Sequence, residues 1–160
     1  MIRTAIVVVS DSTFAGLRED KSGPALEARV AELEWTVTSR HVVPDETAQI
    51  SSLLSELVHG RAVDVIVTTG GTGLSQRDVT PEAARAVSNR EIPGFGERMR
   101  AEGLKSTKFA PLSRSTGFTA GTVLILNLPG SPRGAVESLD AVAALIPHAV
   151  DLLHGRTEHK

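Results

Sequence analysis

Residues Thr68 to Glu82 read Thr-Thr-Gly-Gly-Thr-Gly-Leu-Ser-Gln-Arg-Asp-Val-Thr-Pro-Glu, packing a strand end, a glycine loop, an acid and a helix start into one short stretch. Gly70, Gly71 and Gly73 let backbone amides come close to a ligand, as a loop wrapped around phosphate requires. Asp78 lies beside that anion-attracting loop, an arrangement that makes chemical sense when a cation such as Mg2+ binds there as well. Two better-known glycine loops are excluded. A Walker A loop needs Lys then Ser or Thr after its last glycine, where this chain has Leu74 and Ser75, and a dinucleotide fingerprint needs glycine at Gln76. Glycines alone are equally compatible with a tight strand-to-helix turn that binds nothing.

The elements that must position this loop alternate in type. Ile6 to Val9, Trp35 to Val43, the β-branched run from Val63 and the apolar run Val123 to Leu128 predict strands. Helices are expected from Pro24 with Leu26, Val30 and Leu33 on one face, across Ile50, Leu53, Leu54, Leu57 and Val58, and from about Gly134. Thr80 is read as a cap with Pro81 as the first helical residue, and Thr116 to Val123 as a short hairpin. The pattern predicts an α/β fold, a three-layer α/β/α sandwich around a mostly parallel central sheet. Residues 1–155 are expected to form a single domain, followed by a polar tail at 156–160.

In an open parallel sheet the carboxyl ends of the strands share one edge, and ligands bind in the crevice outside it. Ser10-Asp11, Asp45, Gly70 to Asp78 and Pro129 to Pro132 each follow an apolar strand run, so they are expected to converge. Each has a plainer alternative. Asp45 after Pro44 suits a turn or helix N-cap, Ser10 and Asp11 suit a turn, and Asp78 suits a helix start through the dipole. Ser131 lacks the flanks of a nucleophile elbow, while Arg77 and Arg114 could be solvated charges or bidentate phosphate ligands. His41, His59, His148, His154 and His159 have no metal-ligand spacing and read as surface or helix-end residues.

Seventeen basic and nineteen acidic residues give a formal charge of −2, which offers no broad basic field for nucleic acid. The absence of cysteine removes disulfides and thiolate metal sites. The apolar run Ala5 to Val9 is too short for a signal h-region and no stretch has the length of a membrane span, so the expected location is the cytoplasm.

The segment Thr68 to Ala83 resembles the signature of the molybdopterin-binding domain family of molybdenum cofactor biosynthesis. Further segments agree in order: Val9-Ser10-Asp11, Glu19-Asp20-Lys21-Ser22-Gly23, Val43-Pro44-Asp45, Glu91 to Glu97, Leu112-Ser113-Arg114, and Asn127 to Pro132. The likeness spans almost the whole chain and is greatest to the single-domain molybdopterin adenylyltransferases. Gln76 departs from it, standing where proline is common. The resemblance implies adenylyl transfer from ATP to the terminal phosphate of molybdopterin, with release of pyrophosphate. For that reaction Asp78 is assigned to Mg2+ or to orienting the attacking phosphate, with Asp45 as its catalytic partner, and the resemblance implies Gly70, Gly71, Thr72, Gly73, Pro129 and Gly130 as nucleotide contacts. Ser10, Asp11, Ser113 and Ser115 are the pterin-side candidates. It also implies a homotrimer and a molybdenum insertase as recipient of the product; Phe95, Met99 and Leu104 could serve core or interface. The alternatives are a non-catalytic molybdopterin-binding paralogue acting as carrier or scaffold, and a related domain of pyrophosphate hydrolysis or molybdate insertion. Insertion is disfavoured because no additional domain is expected.

Overall fold

A computed structural model of the chain describes residues 1–157. The strands are β1 (Arg3–Val9), β2 (Thr36–Val43), β3 (Val65–Thr69), β4 (Arg90–Ile92), β5 (Gly117–Ala120) and β6 (Val123–Leu128). The helices are α1 (Asp11–Phe14), α2 (Ser22–Glu32), α3 (Thr47–His59), α4 (Thr80–Val87), α5 (Pro93–Gly103), α6 (Pro132–Val142) and α7 (Ile146–Leu153). One sheet has the order β2-β1-β3-β6-β5-β4, in which β1, β2, β3 and β6 pair in parallel and β5 runs antiparallel to β6 and β4.

The sheet separates two apolar cores because side chains alternate along each strand. Ile6, Val65, Val67, Leu124, Leu126 and Leu128 face one side, where Leu26 of α2, Met99 of α5, Leu139 of α6 and Ile146 of α7 cover them. Ala5, Val7, Ile66, Ile125 and Phe118 face the other, under Ile50 and Leu54 of α3 and Ala83 and Ala84 of α4. Continuous rather than alternating hydrophobicity in β1, β3 and β6 is therefore the mark of strands buried on both faces. The expected three-layer α/β/α arrangement is present; the hairpin expected within Thr116 to Val123 is instead a single strand there, β5, which turns into β6 and pairs with it.

Several boundaries differ from the sequence reading. β1 begins at Arg3, α2 at Ser22 ahead of Pro24, and α6 at Pro132, where the Ser131 hydroxyl accepts the Gly134 N–H at 3.0 Å. Trp35 precedes β2, and Val63 precedes β3. Thr80 is not a side-chain cap: Val79 holds the N-cap position, and the Thr80 hydroxyl donates to the Gly70 carbonyl at 2.8 Å. Phe95 and Met99 belong to the core, while Leu104 is exposed. The edge strand β4 is too short to carry a pattern of its own, whereas α7 has Ile146, Ala149, Val150 and Leu153 at helical spacing on its core face, a readable signal that the sequence reading missed. Arg156 folds back on Asp151 at 2.9 Å; residues 158–160 of the expected tail, and with them His159, lie outside the described residues. No helix among the described residues is long and apolar enough to cross a membrane.

At the start of β3, buried Asp64 accepts the Arg3 backbone N–H at 2.9 Å and the Arg3 side chain at 3.1 and 2.8 Å, with His154 Nε2 at 3.2 Å. The hydrogen-bonded Arg3 guanidinium pulls the Asp64 carboxyl from 3.8 down to about 2 against the opposing effect of burial. A depressed folded-state pKa stabilises above the unfolded value and is lost as pH falls through the folded one, here between about 4 and about 2. Asp64→Asn is accordingly expected to lose roughly 2 kcal/mol at pH 7 in urea unfolding, with the gap to wild type closing towards pH 2. A pH-independent gap would exclude the charge as its cause.

Candidate active site

The parallel strands end level with one another. Val8 is opposite Thr69, Thr69 is opposite Leu128, and Val9 is opposite Val43. The loops that follow are consequently delivered to one edge, where they bond to each other. The Gly70 N–H reaches the Leu128 carbonyl at 3.0 Å, and the Thr69 hydroxyl reaches the Pro129 carbonyl at 2.7 Å. Ser22, at the start of α2, donates to the Gly130 carbonyl at 2.6 Å. The glycines are required for different reasons. Gly70 has φ +104°, and a Cβ there would collide with the Val9 carbonyl oxygen; Gly71 has φ +69° and is crowded by the Thr80 hydroxyl. Gly73 has no such backbone demand, but a Cβ would stand 2.8 Å from Asp78 Oδ2.

The two acids meet beside these glycines. Asp45 does not cap α3, whose N-cap position is Glu46. Instead its Oδ2 accepts the Asp11 N–H at 2.9 Å, while the Asp45 N–H donates to Asp11 Oδ1 at 2.9 Å, a reciprocal brace between the ends of β1 and β2. Asp78 Oδ2 accepts the Ser75 N–H at 3.0 Å. Each acid thus commits one oxygen to a backbone amide, and neither Oδ1 makes a hydrogen bond among the described residues. Burial pushes the Asp45 carboxyl above the usual carboxylate range; the charges of Asp11 and Asp78 add to that, and the Asp11 N–H and Arg77 oppose it. Asp11 is shifted the other way, chiefly by the hydrogen-bonded Arg77 guanidinium.

Both arginines considered as phosphate ligands are engaged with the protein. Arg77 donates to both oxygens of Asp11 at 3.0 and 2.9 Å and to Glu46 at 3.1 Å. Arg114 grips the glycine loop from behind: its N–H donates to the Thr72 carbonyl at 2.8 Å, Nε to the Gly73 carbonyl at 2.9 Å and Nη2 to the Asp78 carbonyl at 2.7 Å. Its Nη1 pairs with Glu82. A planar fork of donors suits such a task better than a single ammonium would.

A cleft of about 470 Å3 opens in front of this assembly, with Ser10, Asp45, Gly70, Gly71, Asp78 and Gly130 on its walls. Asp11, Thr72 and Gly73 support the walls from outside, Thr72 being buried. Of the pterin-side candidates, Ser10 caps α1 by accepting the Thr13 N–H at 3.2 Å. Ser113 faces a second cleft, of about 210 Å3, that shares Ser131 with the first and has Pro129 on its wall. Ser115 is buried beneath Ser113, accepting its hydroxyl at 2.9 Å, and faces neither cleft. Ser10 and Ser113 are therefore brought to two clefts on either side of the Pro129 to Pro132 loop. Sequence reasoning missed as site residues Arg18 to Ser22, which form another wall of the first cleft; the Glu19 to Gly23 motif was the available signal.

A doubly covered parallel sheet with a glycine loop and paired acids at its carboxyl edge defines an α/β domain suited to phosphorylated ligands. The model of the family described as "Probable molybdopterin binding domain" matches residues 5–148, and the chain belongs to that family. It is 38% identical to the molybdopterin adenylyltransferase of Escherichia coli strain K12, over 96% of this chain and 86% of that protein. It is 39% identical to the molybdopterin adenylyltransferase of Helicobacter pylori strain J99, over 96% of this chain and 89% of the relative. The crystal structure of the molybdopterin biosynthesis enzyme MoaB from Thermus thermophilus superposes with a TM-score of 0.91 at 45% identity, covering 97% of this chain and 98% of that one.

The two kinds of glycine should separate experimentally. Gly70→Ala must adopt a left-handed backbone against the Val9 carbonyl and is expected to lose about 2 kcal/mol or more in thermal or urea unfolding. Gly73→Ala meets only the end of a side chain and should stay within about 1 kcal/mol of wild type. Equal losses would show that the loop does not depend on the Gly70 conformation.

Proposed function

We propose that the chain acts in molybdenum cofactor biosynthesis by transferring the adenylyl group of ATP to the terminal phosphate of molybdopterin, giving adenylated molybdopterin and pyrophosphate. The observation that carries this reading is the meeting of Asp45 and Asp78, each with an oxygen free of hydrogen bonds, at a glycine loop in a member of this family. The reaction joins two polyanions. Its barrier is lowered mainly by positioning and by offsetting charge, and the attacking phosphate monoester is already ionised near pH 7, so no strong general base is needed.

On this reading Gly70, Gly71 and Gly130 border the nucleotide by close backbone approach, Thr72 and Gly73 carry the loop behind them, and Pro129 contacts the nucleotide from the side of the second cleft. Ser10 and Ser113 are pterin contacts in their respective clefts, Ser115 orients Ser113, and Asp11 acts through Asp45, which it braces. Asp45 and Asp78 fit a divalent cation. Their like charges act on one another, and two carboxylates completed by water and substrate phosphate are what Mg2+ commonly takes. Among the described residues no cluster of three or more His, Cys, Asp or Glu side chains offers an all-protein cage, so substrate oxygens would complete the shell. When bound, Mg2+ would supply positive charge to the phosphates; the acids would fix its place relative to the glycine loop. Family membership further supports a homotrimer, a cytoplasmic location and a molybdenum insertase as recipient of the adenylated product.

Incubation with molybdopterin, ATP and Mg2+ tests the reading: an adenylated pterin and pyrophosphate are expected. Pyrophosphate without that product would favour hydrolysis, and molybdopterin binding without turnover would favour the carrier alternative. Asp78→Asn keeps the shape and the Ser75 contact but removes the charge. Its kcat is expected to fall by roughly a hundredfold or more, with molybdopterin affinity largely kept, because such a charge matters most in the transition state. Near wild-type turnover at saturating ATP, Mg2+ and molybdopterin would reduce Asp78 to a residue that shapes the loop.

A further inference from the structure

Arg77 and Arg114, which bond to the segments that carry the paired acids, are engaged by the protein's own carboxylates and carbonyls. The cleft in front of the acids nevertheless has two cationic side chains on its wall, Arg18 and Lys21, and no other Lys or Arg among the described residues lines it. Neither side chain forms an ion pair or hydrogen bond with another described residue. Their acidic neighbours do not neutralise them by contact. Asp20 turns its carboxylate to the Gly23 N–H at 2.8 Å, and Glu19 makes no ion pair with either cation. The segment is anchored immediately beyond Lys21, where Ser22 bonds the Gly130 carbonyl, so its position is tied to the loop that completes the cleft.

We infer that Arg18 and Lys21 bind the β- and γ-phosphates of ATP and then the departing pyrophosphate, an inference that rests on the adenylyl-transfer reading. In that reaction an oxygen of the molybdopterin terminal phosphate bonds to the α-phosphorus. The bond from the α-phosphorus to the oxygen bridging to the β-phosphorus breaks, and that oxygen leaves with the electron pair as part of pyrophosphate. Negative charge therefore grows on the β-phosphate side as the bond breaks, where unpaired cations stabilise it most. The paired acids cannot do this by themselves, and the two engaged arginines would have to abandon their partners. Arg18 and Lys21 are free to move with their ligand because both are exposed and unpartnered.

The test is calorimetric titration of wild type, Arg18→Met, Lys21→Met and the conservative Lys21→Arg with ATP, AMP, pyrophosphate and molybdopterin, alongside turnover. Each Met variant is expected to lose about tenfold in affinity for ATP and pyrophosphate, the loss of one charge-assisted contact, and to keep its affinity for AMP and molybdopterin. Lys21→Arg should retain pyrophosphate affinity, and turnover of the Met variants should fall with ATP affinity. Equal losses for AMP and ATP, or losses confined to molybdopterin, would overturn the assignment. So would Met variants with unchanged ATP and pyrophosphate affinity in a protein that turns over normally, leaving adenylyl transfer intact. A wild-type protein that binds neither ATP nor pyrophosphate and forms no adenylated pterin would overturn both readings.

Discussion

The parallel register of β2, β1, β3 and β6 is the constraint from which the site follows. Once Val9 is opposite Val43, and Thr69 is opposite both Val8 and Leu128, the chain has no choice about where the next loops emerge. They leave the sheet side by side, on the edge to which strand carbonyls point and where ligands collect in folds of this kind. Gly70 shows how tightly this is drawn. The backbone passes so close to the Val9 carbonyl that only a residue without Cβ fits, and the Gly70 N–H still finds the Leu128 carbonyl. The glycine loop is held from both neighbouring strands before any ligand arrives.

That convergence places like charges together, and the surrounding bonds offset the cost. Asp45 is partly desolvated and near Asp11 and Asp78, all of which disfavour its ionised form. The reciprocal amide bonds with Asp11 and the ion pairs of Arg77 oppose that cost and fix the carboxylate. On the other side, Arg114 ties together the carbonyls of Thr72, Gly73 and Asp78, so loop and acid form one unit. A site built this way has electronegative character without a substrate and is completed by cations and phosphates. The free charges of Arg18 and Lys21 on the facing wall complement it.

Much of this was legible in the residues because the signals were local. Unbroken β-branched runs marked doubly buried strands, and a polar or glycine-rich cluster after each strand marked the shared edge. Pro129 and Gly130, far from Gly70 in sequence, were placed beside it by topology alone, and their contacts with Thr69 and Ser22 bear that placement out. What escaped depended on tertiary partners. Thr80 looked like a helix cap, but its hydroxyl is drawn to the Gly70 carbonyl; Asp45 looked equally like a cap, but its carboxylate is drawn to Asp11. No spacing rule could show that Arg77 and Arg114 would be held by the protein. Ser115 resembled Ser113 in sequence, yet one side chain is buried beneath the other. β4, of three residues, takes its strand character from the neighbouring β5 rather than from its own composition.

The central claim is that Asp45 and Asp78, delivered by different loops, serve one reacting phosphate centre. A double-mutant cycle on adenylyl transfer tests it most directly, comparing turnover of wild type, Asp45→Asn, Asp78→Asn and the double variant at saturating substrates and Mg2+. If both acids act on one centre, the double variant should be little worse than the poorer single variant, and the losses in transition-state free energy should sum to clearly less than additive. Fully additive losses would mean that the two carboxylates act independently, and that their proximity follows from the fold alone.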